Sequence, residues 1–157
     1  MFDSATFRQV LGHFPTGVVV IAADGADGPV GMSIGSFGSV SLDPPLVGFF
    51  CGKTSSTWVK VEAAGKFAVN VLADDQEHLS RLFASKTEDK FEGLGWHRSA
   101  LGSPIIDGVV AWIDCDIHQV LDAGDHWCVL GKVSDLAVGE EGTPLVFYRG
   151  GYGSFRQ

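Results

Sequence analysis

The sequence lacks the features that are typical of secreted, membrane-spanning and nucleic-acid-binding proteins. Its three cysteines form no Cys-x-x-Cys pair, so no disulfide framework is indicated. No lysine- and arginine-rich run offsets the formal net charge of -8, which would repel nucleic acid. No apolar run approaches the roughly 18 residues of a membrane span, and the N-terminus lacks the pattern of a signal peptide. We therefore expect a cytoplasmic protein with no nucleic-acid or membrane partner.

Three familiar motifs of catalytic or nucleotide-binding sites are also missing or lie in the wrong structural context. No Gly-x-Gly-x-x-Gly follows a predicted strand, so a nicotinamide nucleotide would not sit in a Rossmann crevice. The one Gly-x-Ser-x-Gly match, at residues 31–35, lies within a predicted strand and not at a strand-to-helix turn, so it does not support a serine hydrolase. The stretch "FFCGKTSSTW" ends like a phosphate-binding loop at Gly52, but Val47 stands where that loop needs its first glycine. A triphosphate site is therefore not expected.

A metal site is also disfavoured, although Cys115, His118, His126 and Cys128 resemble a scattered ligand set. Cys115 and His118 are three residues apart on a predicted strand, so their side chains point to opposite faces. The plainer interpretation is that the cysteines are buried free thiols and that His118 lies at the surface. We expect no metal ion.

What the chain does have is enough apolar sequence for one core. Residues 1–157 are 45% hydrophobic and have the usual length of a single domain. Near the start, Ser4 can cap a short helix that Pro15 ends. Its apolar residues, at three- and four-residue spacing, are Phe7, Val10, Leu11 and Phe14. Residues 17–23 and 30–42 then read as two paired strands around a turn.

The middle of the chain alternates strands and helices. "LVGFFC" and "KFAVNVL" predict buried strands, and between them residues 58–64 predict a helix that Gly65 ends in the left-handed conformation. Asp74 or Asp75 can cap the next helix. The glycines at 93 and 95 predict a long irregular connection.

The clearest pattern is the alternation of residues 109–121, with Asp114, Asp116 and His118 on the predicted wet face. "DAGD" predicts a four-residue hairpin connection to an antiparallel partner strand, and a last strand follows. About seven strands with few helices and no repeated strand-helix-strand unit predict a mainly β fold, an antiparallel sheet closed as a barrel.

Two neighbouring segments have the composition of a binding surface. The small residues of "GMSIGSFGSVS", residues 31–41, expose backbone on which a flat ring with polar edges could lie, its hydroxyl-bearing tail reaching Ser39 and Ser41. "GKTSST" then offers Lys53 and hydroxyls at a helix N-terminus, which suits an anion. Together they suggest a mononucleotide. Each also has a plainer interpretation, an edge strand and a helix cap.

His126, at the mouth of the long hairpin, is the candidate catalytic residue. It could hydrogen-bond a carboxamide or help to orient a hydride donor, with Asp125 beside it. Alone, it would be interpreted as an exposed turn residue.

The motifs together resemble a known family across essentially the whole chain. They are "FRQVLGHFPTGVVVIA", "GMSIGSFGSVSLDPPLVGFFCGKTSSTW", "FAVNVLADDQEHLSRLFASK", "DKFEG", "LGSPII", "AGDHWCVLGKV" and "PLVFYRGGYGSF". This series is similar to the short flavin reductases of two-component flavin-dependent monooxygenases. The resemblance implies a Greek-key FMN-binding split barrel that forms a homodimer, with flavin near the subunit interface.

The resemblance also implies where the ligands lie. The isoalloxazine ring would face Met32, Ser33, Ile34, Gly35 and Ser36. The ribityl chain and phosphate would lie along Ser39, Val40 and Ser41, and the phosphate arm along Cys51, Lys53, Ser55, Ser56 and Thr57. Further flavin contacts would come from Ser85 and Lys86, and the nicotinamide side would be lined by Asp125, His126 and Tyr152.

The implied activity is hydride transfer from NADH or NADPH to FMN or FAD, with reduced flavin supplied to a partner oxygenase. Such chemistry belongs to the cofactors, so the protein's task is to stack two planar rings in register. A non-catalytic or tight flavin-binding electron carrier on the same barrel is the alternative. A small-ligand barrel without a redox role is a third interpretation.

Overall fold

The computed structural model describes all of residues 1–157, which form twelve strands and three helices. The helices are α1 (Ser4–Leu11), α2 (Ser56–Ala64) and α3 (Glu77–Ala84). The strands are β1 (Thr16–Gly17), β2 (Val19–Gly25), β3 (Gly28–Ile34), β4 (Gly38–Ser41), β5 (Leu46–Gly52), β6 (Lys66–Val71), β7 (Trp96–Arg98), β8 (Pro104–Ile106), β9 (Ala111–Ala123), β10 (His126–Val138), β11 (Leu145–Tyr148) and β12 (Gly151–Ser154). None of the helices combines the length and apolarity that crossing a bilayer requires.

Seven strands form one antiparallel sheet in the order β3-β2-β6-β9-β10-β5-β4. β3 and β5 lie far apart in this order and nevertheless contact each other, so the sheet curls back on itself. A second sheet, β1-β11-β12, and a short hairpin of β7 and β8 complete the structure. The prediction of a mainly β, antiparallel fold is confirmed.

The curled sheet has an apolar core on each face, and β2 and β6 contribute to both. Val19 and Ile21 point to one core, whereas Val20 and Ala22 point to the other. Successive strand residues face opposite sides, so a strand that is covered on both sides must be apolar throughout. This explains the unbroken "VVVIAA" run. Trp58, from α2, covers the first core, and α3 contributes to the second.

The long hairpin of β9 and β10 was predicted correctly in outline and wrongly in two details. The chain turns over only Gly124 and Asp125, because Ala123 already pairs with His126. The register also shifts so that His118 has no partner, as in a β-bulge. This extra residue reverses the alternation, which leaves Leu121 exposed despite the predicted pattern.

Asp114 was wrongly placed on the wet face of β9, since it is one of the most buried residues of the chain. The Ser103 hydroxyl donates to one of its carboxylate oxygens at 2.6 Å, and Ser99 donates to the other. The segment before β8 therefore covers this part of the strand and supplies the hydrogen bonds that a buried carboxylate needs.

The predicted irregular connection around Gly93 and Gly95 contains more structure than expected. It leads into the β7 and β8 hairpin, in which Trp96 pairs with Ile106. Buried Ile105 and Ile106 belong to the second core. These strands have three residues each, too few for a recognisable alternation.

Two predicted helix caps were wrong. Asp3, not Ser4, caps α1, because its side chain accepts from the backbone of Thr6 at 2.8 Å. Neither Asp74 nor Asp75 caps α3, which follows a 3-10 turn at Asp74–Gln76. Asp74 instead accepts a hydrogen bond from Thr143. A single sequence does not show which of two adjacent polar residues reaches the free N–H groups.

α1 has an unusual orientation for an amphipathic helix. Its polar side faces the turn between β11 and β12, where the Arg149 amide donates to the Gly12 carbonyl at 2.9 Å. Its apolar side faces outward, and none of its residues is buried. The exposed apolar side chains are Phe7, Val10, Leu11 and Phe14, with Phe2 stacked on Phe7. This apolar surface has no partner within one chain.

Candidate functional site

Three connections of the curled sheet meet at one corner of the molecule. Ser36, between β3 and β4, bonds to β5, since its hydroxyl accepts from the Phe50 amide at 2.9 Å and donates to the Phe50 carbonyl at 3.1 Å. The Lys53 amide, just after β5, donates to the carbonyl of Asp125 in the β9–β10 turn at 3.0 Å. The fold thus joins the "GMSIGSFGSVS", "GKTSST" and "GDH" segments.

The side chains of β3 alternate between two environments. Met32 points inward, and the Ser55 hydroxyl lies 3.9 Å from its sulfur. Ser33 points the other way and donates to the Ser80 carbonyl in α3 at 2.6 Å. Ile34 again belongs to the first core. β3 is also an edge strand, so half of its backbone N–H and C=O groups have no neighbouring strand.

Gly35 lies beside an unsatisfied hydroxyl group. A Cβ atom at Gly35 would be only 3.3 Å from the Thr16 Oγ1 atom. That oxygen is the one buried side-chain nitrogen or oxygen atom in the chain without a hydrogen-bond partner. Leaving a buried hydroxyl unpaired costs about 1–3 kcal/mol, which marks the position as one where a ligand could supply the partner.

β4 is short, accessible and paired only with β5. Ser39 and Val40 are exposed, and Ser41 is partly buried. A register shift between Ser39 and Ser41 leaves Val40 without a partner in the ladder. The Val40 side chain lies over Gly48 of β5. The two serines therefore lie on an open edge next to the Gly35 connection.

The Lys53 ammonium group is already engaged. Its Nζ atom lies 2.8 Å from the Asp122 carboxylate and 4.6 Å from the centre of the Trp127 ring. The hydrogen bond and charge of Lys53 lower the pKa of Asp122. The lysine is thus held at the corner by the β9–β10 hairpin, and an anion would share it with a carboxylate.

α2 begins beside Lys53 with free backbone donors. Ser55 is its N-cap and accepts from the Trp58 amide at 3.1 Å. Ser56 and Thr57 occupy the first turn, whose N–H groups have no partner within the helix. An anion is favoured there by both these donors and the helix dipole.

The Cys51 side chain does not reach this surface. It is buried in the first core, where loss of hydration raises the pKa of the thiol to about 11. Its backbone pairs with Trp127 of β10. Only the main chain of Cys51 is therefore placed near the predicted phosphate arm.

His126 opens β10, opposite Gly52 of β5. Its Nδ1 atom lies 2.6 Å from the Asp125 carboxylate, and this hydrogen bond with the neighbouring ring lowers the pKa of Asp125. An ionised carboxylate only accepts, so Nδ1 carries the proton and Nε2 remains available. The His126 side chain is about half exposed, at 48%.

Three further predicted residues lie outside this corner. Ser85 ends α3 and donates to the Leu82 carbonyl at 2.6 Å, and Lys86 is exposed just beyond it. Tyr152 is in the other sheet, where its hydroxyl lies 2.8 Å from that of Ser80. Since Ser80 also accepts from Ser33, Tyr152 is linked to the outer side of β3.

The four residues considered as metal ligands do not assemble. The structure contains no group of three or more histidine, cysteine, aspartate or glutamate side chains placed to share an ion. Cys115 is buried, and desolvation raises the pKa of its thiol to about 12. Cys128 is partly buried on β10.

Sequence reasoning missed Thr16, Asp122 and Trp127. Thr16 lies within "FPTG", which gave no functional signal of its own. Asp122 was assigned only to a hairpin connection, and Trp127 only to a strand. The Lys53–Asp122 contact spans 69 residues, so no local pattern could have identified it.

The chain is similar to characterised flavin reductases over almost its whole length. Residues 11–156 match the flavin reductase like domain family. A flavin reductase from Pseudomonas putida is 56% identical over 154 residues, which cover 98% of this chain and 91% of that protein.

Two solved structures are similar to this chain in both sequence and fold. Nitrilotriacetate monooxygenase component B from Mycobacterium thermoresistibile is 49% identical with a TM-score of 0.95, and the match covers 98% of this chain and 87% of that one. The NADH:FAD oxidoreductase SgcE6 of Streptomyces globisporus C-1027, in complex with NAD and FAD fragments, is 37% identical with a TM-score of 0.92, covering 98% and 93%. With its sequence and fold both matched across its length, this chain belongs to the flavin reductase-like domain family.

Proposed function

We propose that the protein is an NAD(P)H:flavin oxidoreductase that reduces FMN or FAD by hydride transfer and supplies reduced flavin to a partner monooxygenase. Family membership over residues 11–156 supports the reaction class. The observation that carries the proposal is the corner where an accessible edge strand, a helix N-terminus and a histidine with a free Nε2 atom come together. Residues 1–157 act as a single domain.

The corner fits the ring of a flavin. The unpaired Thr16 hydroxyl beside Gly35 supports this fit, because the polar edge of the ring can complete its hydrogen bonding. Backbone groups along Met32–Ser36 supply further donors and acceptors on the free edge of β3. The side chain of Ser33 is committed to α3, so this residue contributes through its main chain.

The adjoining surface fits a phosphorylated tail. Ser39 and Ser41 offer hydroxyls to the ribityl chain, with Val40 between them. Lys53 and the first turn of α2 then offer one positive charge and free N–H groups to the phosphate. Because Asp122 already neutralises part of the Lys53 charge, we expect moderate rather than very tight flavin binding. Moderate affinity suits a flavin that must leave for an oxygenase.

The bound flavin supplies the hydride-accepting chemistry, and the residues of this chain supply position. Asp125 fixes the tautomer and orientation of His126, whose Nε2 then holds the carboxamide of the nicotinamide. Holding two rings at near-attack distance replaces a rare encounter with an ordered complex. Tyr152, Ser85 and Lys86 lie outside this corner, so the contacts of Tyr152 with nicotinamide and of Ser85 and Lys86 with flavin stay predictions.

We also propose that the functional unit is a homodimer. The outward apolar side of α1 exposes 52% of Phe7 and 53% of Leu11, and Phe14, just after the helix, is 73% exposed. Water is an unfavourable neighbour for such an apolar surface. A second copy of the chain would cover it. Analytical ultracentrifugation of the wild type and of Phe7→Glu with Leu11→Glu tests this surface. A dimer in both proteins would exclude α1 from the interface, and a monomer in both would exclude the homodimer.

Steady-state kinetics test the proposed activity. Oxidation of NADH and NADPH should be followed separately with FMN, FAD and no added flavin, under air. The proposal expects flavin-dependent oxidation of at least one nicotinamide. A protein that purifies yellow and oxidises neither nicotinamide would instead be the flavin-binding carrier considered above.

A further inference from the structure

Away from the proposed flavin site, a polar cavity lies between α1 and the turn that joins β11 to β12. It has a volume of about 340 Å³ and contains no apolar side chain in its lining. The lining residues are Arg8, Gln9, Gly12, His13, Arg149 and Gly150. Two arginines and one histidine therefore border a single cavity whose lining contains no acidic residue.

Neither of the two arginines has a partner for its charge. All five ion pairs of the chain involve other residues, and so do the three cation–π contacts. By contrast, Arg98 pairs with Asp24 and Arg81 with Glu77. In a chain with 19 acidic and 11 basic residues, two free arginines at one cavity form a local site for an anion.

The fold holds this cavity in shape. The Arg149 amide donates to the Gly12 carbonyl at 2.9 Å, which fixes the turn against α1. Arg149 and Gly150 both have positive φ angles, 50° and 78°, as a tight two-residue hairpin turn requires. His13 Nδ1 donates to the Gln9 carbonyl at 2.8 Å, so its Nε2 atom is left for a ligand.

A larger cavity of about 410 Å³ lies against the same hairpin. Its lining includes Tyr148 and Tyr152, and Tyr148 also meets the His13 ring edge-on at 6.3 Å between centroids. A base or ribose could pack on the tyrosines while an attached phosphate reaches the arginines. The hairpin therefore offers both parts of a nucleotide site.

We propose that the Arg8–Arg149 cavity binds a phosphate group of the nicotinamide substrate. Guanidinium groups bind phosphate oxygens through paired, charge-assisted hydrogen bonds. The phosphate is either the 2′-phosphate, which only NADPH carries, or the diphosphate, which NADH and NADPH share. This inference rests on the nicotinamide-dependent activity proposed above.

Direct titration tests the cavity without any turnover. Inorganic pyrophosphate should bind the wild type by calorimetry, and Arg8→Gln with Arg149→Gln should bind it about tenfold more weakly, the size expected for lost charge-assisted bonds. Lys60→Gln with Lys132→Gln removes the same charge from two exposed residues elsewhere and should leave binding unchanged. Equal losses in both double variants, binding that is unchanged in the arginine variant, or no binding by the wild type would each overturn the phosphate site.

Kinetics then identify the phosphate. If the 2′-phosphate occupies the cavity, the arginine variant raises KM for NADPH about tenfold and leaves KM for NADH and both kcat values unchanged. If the diphosphate does, KM rises for both nucleotides. Unchanged KM values for both overturn the assignment to the nicotinamide substrate. Failure of the wild type to reduce flavin at all would refute the proposed function separately, whatever pyrophosphate does.

Discussion

Two tight hairpin turns of this protein, β9–β10 and β11–β12, differ in how their charges are satisfied. At the β9–β10 turn, Asp122 pairs with Lys53 and Asp125 with His126, and the main chain of Lys53 ties the turn to β5. At the β11–β12 turn, the Arg149 side chain forms no ion pair, and Arg8, which also has none, borders the same cavity. The paired turn is already organised before a ligand arrives, whereas the unpaired turn has unsatisfied cations.

This difference separates two ways of building a binding site. Paired side chains lose little mobility on binding, so the paired turn suits the precise placement of reacting rings. Free guanidinium groups gain a partner only when an anion arrives, so the unpaired turn suits affinity for a charged group away from the chemistry.

The largest effect is expected from His126→Ala. Loss of the ring that Asp125 orients should lower the rate of flavin reduction by about 10²-fold, the size of effect that misplacement of reacting groups can cause. Flavin binding should change little. Stopped-flow reduction and flavin titration measure the two quantities, with His118→Ala on the same hairpin as the control. An unchanged reduction rate would remove His126 from the site.

Lys53 and Asp122 should have opposite effects on the phosphate of flavin. Lys53→Gln should weaken FMN binding about tenfold and riboflavin binding hardly at all, because only FMN carries the anion. Asp122→Asn should instead tighten FMN binding, since it releases Lys53 from its carboxylate partner. Fluorescence quenching by each protein gives the dissociation constants, with Lys60→Gln as the control. Equal losses for both ligands would contradict the phosphate assignment.

Thr16 connects the two regions, because it pairs with Phe147 of β11 and also lies beside Gly35. Thr16→Val removes a hydroxyl that has no partner in the free protein. The free energy of unfolding without flavin should therefore rise by about 1 kcal/mol, while flavin binding weakens. Denaturant unfolding with and without FMN separates these changes. Lower stability without flavin would show that the hydroxyl is bonded within the chain.

The smallest effect is expected from thiol labelling near the paired turn. Burial raises the pKa of Cys51 to about 11 and that of Cys115 to about 12, so both stay protonated at pH 8. Cys128, which is only partly buried, should react first with iodoacetamide. Peptide mass spectrometry over time measures the order. Early labelling of Cys51 would show that β5 and β10 separate readily at this corner.

Local chemistry explains why much of the fold could be predicted from sequence. The unbroken apolar run before Ala23 and the left-handed Gly65 each mark an element through properties of a few neighbouring residues. The predictions were wrong where adjacent residues compete for one role, or where a segment distant in sequence covers the predicted position. Asp3 displaced Ser4 as a cap, and the serines before β8 buried Asp114.

The sequence by itself determined the mainly β class, most of the element types and the two segments whose composition suits a planar ring and an anion. Only the tertiary structure brought Lys53 to Asp122, left the Thr16 hydroxyl without a hydrogen-bond partner beside Gly35, and placed two arginines without ion-pair partners at one turn. The physical reason is that turns and periodicity depend on residues a few positions apart. Charge pairing and burial depend on segments that meet only after the sheet has curled.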